Sequence, residues 1–497
     1  MPNGKLTSFT FFRRSPRRLR NMNLLLRHCC LTIGCVISLG LIPLPLNAQG
    51  LRAGFGEVDI TPDVAAEQPV WIAGYGMGRR ATGVHDPIMA RCVVLQSGDE
   101  KVALVSVDLI GLQYPETKRI RAKLPSFRYV LVSSTHNHEG PDVIGIWGRG
   151  PFTRGVNEAY LELIVERVAK LIQTTAAAAQ PVTAKYGTAT DESLLGDSRQ
   201  PYVKDGVLRV LRFEKAGTND LAGLLVQWNC HPEALGSRNN QLTADFPHYT
   251  VARLKERLKC PLVYMSGAVG GLMAPPDGDV VKDAAGKVLE DGNYEYPKVY
   301  GELVADLVLK ANAAAEPLEL SPFAVSSKPV AIPVRNSLYR LARAVGVMQR
   351  ESSVWTGDSE SFGEPFTGTK SDQTSAIETE VAYLRLGELH IACLPGEVYP
   401  ELVYGKFEDP ADPNADFPHV PLEPSVASLM PGKKWLLIGL ANDEVGYIIP
   451  QRQWDALPPY AYGRQESQYG EINSCAYDVA PILMKALQRR VREANPR

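Results

Sequence analysis

Short apolar runs, each followed at once by polar or glycine-rich sequence, recur along the chain. KVALVSV precedes Asp108, YVLVSST precedes His136, GLLVQWNC precedes His231, and HIACLPG precedes Glu397. Their length and their β-branched residues predict buried strands. Longer segments with helical spacing of apolar positions lie between them, such as NEAYLELIVERVAKLIQTT and APILMKALQRRVREA, and these predict amphipathic helices.

The alternation of strands and helices predicts a mixed α/β fold in one large domain, residues 53–490. In folds of this class, ligands collect beyond the carboxyl ends of the strands. His136, His138, His231 and Glu397 all follow such ends. We therefore expect them to share one cleft, although they lie far apart in sequence.

The first 48 residues have a different composition. A basic region is followed by an apolar run at 31–46 and then by Ala48, which is a small residue suited to cleavage. This order predicts a signal peptide, 1–48, and a secreted or periplasmic protein. An uncleaved membrane anchor is the alternative, and Met22 is an alternative start site. No later segment reaches the roughly 20 apolar residues of a membrane span, so we expect no stable span.

The remaining composition excludes several classes. A net charge of −2 gives no reason to expect nucleic acid as a partner. The five cysteines beyond the signal region are widely spaced, which fits neither a disulfide framework nor a zinc-knuckle pattern. The sequence leaves the oligomeric state open.

The residue types at the strand ends are those of a zinc site. Zinc favours imidazole nitrogen and carboxylate oxygen. On an extended segment His136 and His138 would point to the same side, so that one binds metal and the other binds substrate. Glu139 and Asp142 are candidates to orient them. Histidines without metal, and Glu397 as an acid at a helix N-terminus, remain open as alternatives.

Four other histidines lack such a context. His85, in VHDP, is expected to be a structural turn residue. His248, His390 and His419 are expected to have surface or core roles.

The order of several motifs gives a more specific signal than any one of them. They are GFGEVDITP, IAGYGM, TGVHDPIMARCVVL, SSTHNHEGPD, SRQPYV, WNCHPEALG, LPGEVYPEL, DEVGYIIPQ and YGEINS. Over residues 53–487 the chain resembles the N-terminal catalytic domain of the neutral/alkaline, non-lysosomal ceramidases. Members of that family use zinc to hydrolyse the amide bond of ceramide, a sphingolipid.

The resemblance implies a role for individual residues. Zinc ligands are expected at His136, His231, Glu397 and Tyr447, with zinc-activated water cleaving an N-acyl bond of a lipid or small-molecule substrate. The resemblance also implies substrate contacts or catalytic roles for three further residues, His138, Arg199 and either Tyr460 or Tyr462.

The chain departs from the family pattern in two places. Ala274, in GLMAP, stands where the family carries a serine proposed as its nucleophile, and Ser266 is expected to be a buried turn residue. We also expect no immunoglobulin-like C-terminal domain, although such a domain is usual in the family. These departures keep two alternatives open: a zinc-dependent esterase or deacylase acting on a non-sphingolipid substrate, and a non-catalytic zinc-binding homologue.

Overall fold

The computed structural model describes residues 50–368 and 373–496. The predicted signal peptide, 1–48, lies outside them. The strands are β1 (Arg52–Asp59), β2 (Gly83–Val84), β3 (Met89–Ser97), β4 (Glu100–Val107), β5 (Tyr129–Ser134), β6 (Gln180–Thr190), β7 (Val207–Lys215), β8 (Leu221–Trp228), β9 (Gln241–Leu242), β10 (Leu262–Ser266), β11 (Glu316–Leu318), β12 (Phe323–Val334), β13 (Ser353–Val354), β14 (Ser375–Leu386), β15 (Leu389–Cys393), β16 (Glu397–Val398), β17 (Trp435–Ile438) and β18 (Tyr447–Ile448). The helices are α1 (Tyr114–Ala122), α2 (Glu158–Ala177), α3 (Phe246–Leu258), α4 (Glu295–Ala313), α5 (Ser337–Ala344), α6 (Glu401–Tyr404), α7 (Val426–Leu429) and α8 (Val479–Ala494).

The largest sheet is mixed and has nine strands in the order β10-β8-β7-β6-β1-β3-β4-β5, with β11 on β6. Strands β4 and β5 are parallel, as are β8 and β10, and the other pairs are antiparallel. Only two residue pairs join β1 to β6, so the sheet consists of two segments linked at a narrow junction.

A second sheet has the order β12-β14-β15-β17, with β13 on β14. Its inner face packs in one apolar cluster with residues from both segments of the nine-stranded sheet. Side chains alternate along each strand, so neighbouring residues of one strand pack in different layers. Val93 and Leu95 face this shared cluster, whereas Cys92 and Val94 face the helices outside.

Helices cover the outer faces. Buried residues of α1 and α2 pack on the segment that contains β3, those of α3 and α4 pack on the segment that contains β8, and α8 packs on the second sheet. The Asn157 side chain caps α2 by accepting the Tyr160 N–H at 3.1 Å. The predicted mixed α/β fold is confirmed.

Strand ends from both sheets meet at one place. The Ser266 hydroxyl, at the end of β10, donates to the Thr135 carbonyl beyond β5 at 2.8 Å. The Gly439 N–H beyond β17 donates to the Ser266 carbonyl at 3.1 Å. These bonds hold the loops after β5, β10 and β17 against one another, directly beside His136.

Within the described residues, none of the helices has the length and apolarity to cross a bilayer. The five cysteines there, at 92, 230, 260, 393 and 475, are buried free thiols.

Candidate metal centre

His136 is fixed by the backbone of a neighbouring loop. Its φ of 68° lies in the left-handed region, which non-glycine residues rarely adopt outside turns and functional sites. The Nδ1 atom lies 2.7 Å from the Ile110 carbonyl oxygen and so carries the proton that it donates. In the neutral imidazole that bond makes Nε2 the nitrogen without a proton, which is the nitrogen that a metal requires.

The predicted extended segment through His136 and His138 is wrong, because the chain turns at His136. Both rings nevertheless face one cavity, with their centroids 5.0 Å apart. The predicted orienting acids are also wrong. Glu139 pairs with Arg79, and Asp142 accepts backbone N–H groups of its own loop, so the Ile110 carbonyl takes the orienting role.

His231 repeats this arrangement on the other side. Its backbone N–H donates to the Met273 carbonyl at 2.8 Å, and its Nδ1 lies 2.9 Å from the same oxygen. The GLMAP loop therefore holds the ring of His231 through a main-chain carbonyl. The Nε2 atom again faces inward.

Glu397 is where the two imidazoles meet. Its Oε2 lies 2.9 Å from Nε2 of His231 and 3.3 Å from Nε2 of His136. Burial alone would raise the pKa of Glu397, but the two histidines outweigh that effect and hold the pKa well below its usual range. Zinc bonds of about 2.0–2.1 Å at tetrahedral angles place two donor atoms about 3.3 Å apart, so both distances to Glu397 are near those expected around zinc.

Tyr447 is the direct register partner of Glu397 in the short parallel ladder of β16 and β18. Its ring meets Tyr399 and Tyr469 edge-on, with both centroid distances at 6.0 Å. Burial, with Glu397 adding to it, raises the pKa of its hydroxyl well above the usual value. A cation at this place would oppose that shift and favour the phenolate.

His138 lies beside these residues with its ring unpaired. Neither ring nitrogen has a hydrogen-bond partner, although both are buried. Nδ1 is 3.4 Å from Oε2 of Glu233, and the ring meets Tyr75 edge-on at 5.1 Å. Nitrogens of His136, His138 and His231 lie within 4.8 Å of one another, so three imidazoles form an alternative donor set.

The two donor sets share His136 and His231 and differ in the third member. Glu397 is the better third donor, because its Oε2 already lies at ligand-to-ligand distance from both Nε2 atoms. His138 is then left with two unsatisfied nitrogens that face the cavity. Buried polar atoms without partners are uncommon in folded proteins, and a catalytic role is one of the explanations for them.

A cavity of about 300 Å³ opens beside this cluster. Such a volume is at the lower end of the range for small-molecule sites. Much of its wall is apolar: Ile110, Ile144, Ile146, Val334, Met348, Ile377 and Val445. The polar part of the wall includes Tyr75, His136, His138, Tyr339, Arg343, Arg350, Glu397, Glu444, Tyr447, Tyr469 and Asn473.

Arg199, predicted to contact substrate, is buried in a structural ion pair. Its guanidinium donates to both carboxylate oxygens of Glu471 at 2.9 and 2.7 Å, and to the Tyr469 carbonyl at 2.7 Å. It is not among the described residues that line the cavity. Its connection to the site is indirect, since it holds the backbone of Tyr469, which does line the cavity.

Tyr460 and Tyr462, the alternatives for a further hydroxyl, also lie outside the described cavity wall. Tyr460 precedes a short 3-10 turn, and the Tyr462 hydroxyl donates to Glu408 at 2.8 Å. The structure brings Tyr75, Tyr339 and Tyr469 to the cavity instead.

Ala274, where the resemblance leads us to expect a serine, also lies away from the cavity wall. Ala274 exchanges backbone hydrogen bonds with Gly196, and it is not among the described lining residues. Ser266 is a buried structural residue whose hydroxyl donates to the Thr135 carbonyl, as expected.

Sequence reasoning missed several residues of the site, namely Glu233 beside His138 and some residues of the cavity wall. Glu233 stands two residues after His231 in CHPE, so its position in the sequence could have indicated that it lies near the site. Tyr339, Arg343 and Glu444 belong to segments without a recognisable motif, and only the packing of α5 and of the loop before β18 brings them to the cavity.

The other histidines behave structurally. His85 stacks on Tyr294 at 3.8 Å and its Nε2 lies 3.0 Å from the Tyr249 hydroxyl, which fits the expected turn role. His390 is buried against Tyr383, whereas His419 is exposed.

The comparisons with known proteins identify the fold. No family profile matches the sequence, and no curated protein matches it. Among solved structures, the neutral ceramidase from Pseudomonas aeruginosa matches with a TM-score of 0.64 and 16% identity, covering 89% of this chain and 74% of that one. A structure titled as ceramidase complexed with C2 matches with a TM-score of 0.62 and 16% identity, covering 90% and 74%. The chain therefore has the fold of the neutral ceramidases.

Proposed function

We propose that the protein is a zinc-dependent hydrolase that cleaves an N-acyl bond. One observation carries the proposal: Nε2 of His136 and Nε2 of His231 converge on one oxygen of Glu397, while a carbonyl holds each Nδ1. The fold likeness to proteins named as ceramidases supports an amide bond as the target.

In this proposal His136, His231, Glu397 and Tyr447 hold the cation. Bound zinc would polarise the scissile carbonyl and lower the pKa of water. The carbonyls of Ile110 and Met273 fix the two imidazoles before any metal arrives, so little reorganisation is needed on binding.

Water is the nucleophile that the cavity favours. None of the described lining residues is a serine or threonine. The only lining thiol among them, Cys475, has its pKa raised to about 12 by burial, and its sulfur lies 3.1 Å from the Val445 carbonyl oxygen. A thiol with that pKa is protonated at neutral pH and attacks poorly.

His138 is placed to handle the proton. Its unpaired nitrogens face the cavity beside the acidic Glu233. Water adds its oxygen to the acyl carbon, the C–N bond breaks, and the proton that water releases passes through His138 to the leaving amine. The products are a carboxylate and an amine.

A second candidate function is a zinc-dependent esterase or deacylase that acts on a substrate other than a sphingolipid. One observation favours it: the cavity wall contains the charged Arg343. Ceramide is neutral, so a cationic wall does not match it.

We also propose that residues 53–490 form one catalytic domain, exported by a signal peptide at 1–48 to the periplasm or the medium. Determining the N-terminal residue of the mature protein tests this, since cleavage after Ala48 is expected. An intact N-terminus on membrane-bound protein would contradict it.

The experiment for the metal site compares zinc content and turnover in three proteins. The wild type is expected to hold about one zinc per chain and to hydrolyse an N-acyl substrate. His231→Ala is expected to lose most of both, because it removes one of few ligands. His419→Ala, at an exposed position, is the control and should match the wild type.

Wild-type protein without zinc after purification in metal-replete buffer would contradict the metal centre. Full zinc with no turnover of amide or ester substrates would retain the metal centre and reject the hydrolase. Turnover of short soluble esters with inertness toward amides would favour the second candidate.

A further inference from the structure

Arg343 is a cation on the cavity wall without an acidic partner. It lies near the end of α5, and its guanidinium donates to the backbone carbonyl of Arg350. Within residues 50–368 and 373–496, no carboxylate oxygen lies within 4.0 Å of it. The side chain is half-buried, so water satisfies only part of its hydrogen-bonding capacity.

Arg350 provides an internal comparison, since it lines the same cavity. It pairs with Asp443 through two contacts, one of which joins Nη1 and Oδ1 at 2.8 Å. Arg350 is therefore paired with an acid, whereas Arg343 is not. Burial and the charge of Arg350 lower the pKa of Arg343 to about 10, which leaves it charged at neutral pH.

Glu444 is the other acid on this part of the wall, and it does not neutralise Arg343. Its Oε1 accepts the Gly446 N–H at 2.7 Å. Its other oxygen, Oε2, is buried and has no hydrogen-bond partner, so Glu444 makes no hydrogen bond to the Arg343 guanidinium. Arg343 is thus left uncompensated.

An unpaired guanidinium in a partly dehydrated cavity is costly unless a ligand supplies the anion. A carboxylate suits it best, because the planar fork of arginine donates two parallel hydrogen bonds to two oxygens. The isoleucine-rich part of the wall suits an acyl chain in the same cavity.

We propose that Arg343 binds a carboxylate of the substrate, so that the preferred amides are N-acylated amino acids. This inference rests on the proposed hydrolase function and names its substrate class. In the reaction, water adds to the acyl carbon and the C–N bond breaks. A fatty acid and a free amino acid are released, and the water proton remains on the amine.

The test compares N-dodecanoylglycine with N-dodecanoylethanolamine, which has the same acyl chain and no charge. For the wild type, kcat/KM is expected to favour the acid by at least about tenfold. Arg343→Gln should lower kcat/KM for the acid by about 10- to 100-fold and leave the neutral amide within about twofold, as expected for one charged hydrogen-bonded pair. Arg343→Lys should be intermediate, because it keeps the charge and loses the fork.

Arg340→Gln is the matched control. Arg340 lies on the same helix, with its guanidinium 6.0 Å from the centroid of the Phe366 ring, and is not among the described lining residues. Its substitution should leave the acid-to-neutral ratio unchanged. Binding of the hydrolysis-resistant N-dodecanesulfonylglycine, measured by calorimetry, reports on Arg343 independently of turnover and should weaken in Arg343→Gln alone.

The outcomes separate the two proposals. Equal turnover of both amides, unaffected by Arg343→Gln, overturns the substrate class and keeps the hydrolase. Arg343-dependent binding of the sulfonamide without any turnover keeps the anion site and rejects the hydrolase. If turnover is absent and binding does not depend on Arg343, both are rejected.

Discussion

Two main-chain carbonyls determine how the central histidines present their nitrogens. Each accepts a hydrogen bond from Nδ1, so that in the neutral imidazole Nε2 of His136 and of His231 is the nitrogen available to a metal. A carbonyl does not titrate, so, unlike a carboxylate, it can accept the Nδ1 proton at every pH. The loop backbone therefore matters to this site as much as the identity of the ligands does, because it orients both imidazole rings.

A serine at position 274 is expected to have little effect on activity. Ala274 bonds to Gly196 through its backbone and is outside the described cavity wall, so a hydroxyl there meets no substrate. Ala274→Ser should keep kcat within about twofold of the wild type, in contrast to the changes of 10²-fold or more at groups that act in the transition state.

Ala285→Ser, in an exposed loop, is the matched control for this exchange. A gain of tenfold or more in Ala274→Ser alone would show that the hydroxyl reaches the reacting bond, and water would lose its place as sole nucleophile.

At the scale of elements, the short ladder of β16 and β18 aligns Glu397 with Tyr447. Gly446 makes this possible. Its φ is 87°, its carbonyl accepts the Glu397 N–H at 3.1 Å, and a Cβ there would lie 2.0 Å from the Asn473 carbonyl oxygen. Only glycine fits so close to the backbone of Asn473.

Gly446→Ala is expected to reduce both stability and zinc content. The clash with Asn473 must displace the backbone that pairs with Glu397, in addition to the roughly 1 kcal/mol cost of a left-handed alanine. Gly346→Ala is the control, with a φ of 78° and open space around the new methyl group. Urea unfolding and metal analysis of the two variants provide the measurement.

If Gly446→Ala costs no more unfolding free energy than Gly346→Ala and keeps its zinc, the ladder does not position the ligands.

The sequence predicts the strands and helices better than it predicts the tertiary contacts around them. The runs that end at His136, His231 and Glu397 are strands or strand ends, because β-branched apolar runs have few other stable solutions. The left-handed turn at His136 carries no signal in THNHEG. It follows from the packing of the loops after β4 and β5.

The same limit applies to the cavity. An arginine in SRQPY and an arginine in α5 look equally suitable as substrate contacts. Only tertiary structure shows that Glu471 neutralises Arg199 while Arg343 has no acid. Which charges are paired depends on contacts between distant segments, and a single sequence does not encode these in any local pattern.

For the whole molecule, the candidate ligands come from loops of both sheets. A cation at the centre would join the loop after β5, the loop after β8 and the ladder that contains β16. A ligand that binds only the folded state stabilises it by mass action.

Removing the metal should therefore lower Tm. With free zinc at 100 times its Kd, the stabilisation is about 2.7 kcal/mol, which corresponds to about 3 °C for a domain of this size. Calorimetry with and without a chelator measures this shift. His231→Ala should start near the lower value and show no response to chelator, and an identical chelator response in that variant would place the bound metal elsewhere.

The span of chain between His136 and Glu397 gives this centre a further consequence. About 260 residues lie between the two side chains, including α2, α3 and α4. A cation bound by both residues would act as a reversible crosslink that closes a loop of this length. Unfolding of the sheets would break that crosslink. The rate at which the ion is released, followed with a zinc-sensitive dye, would then report the rate of global unfolding and not that of a local fluctuation.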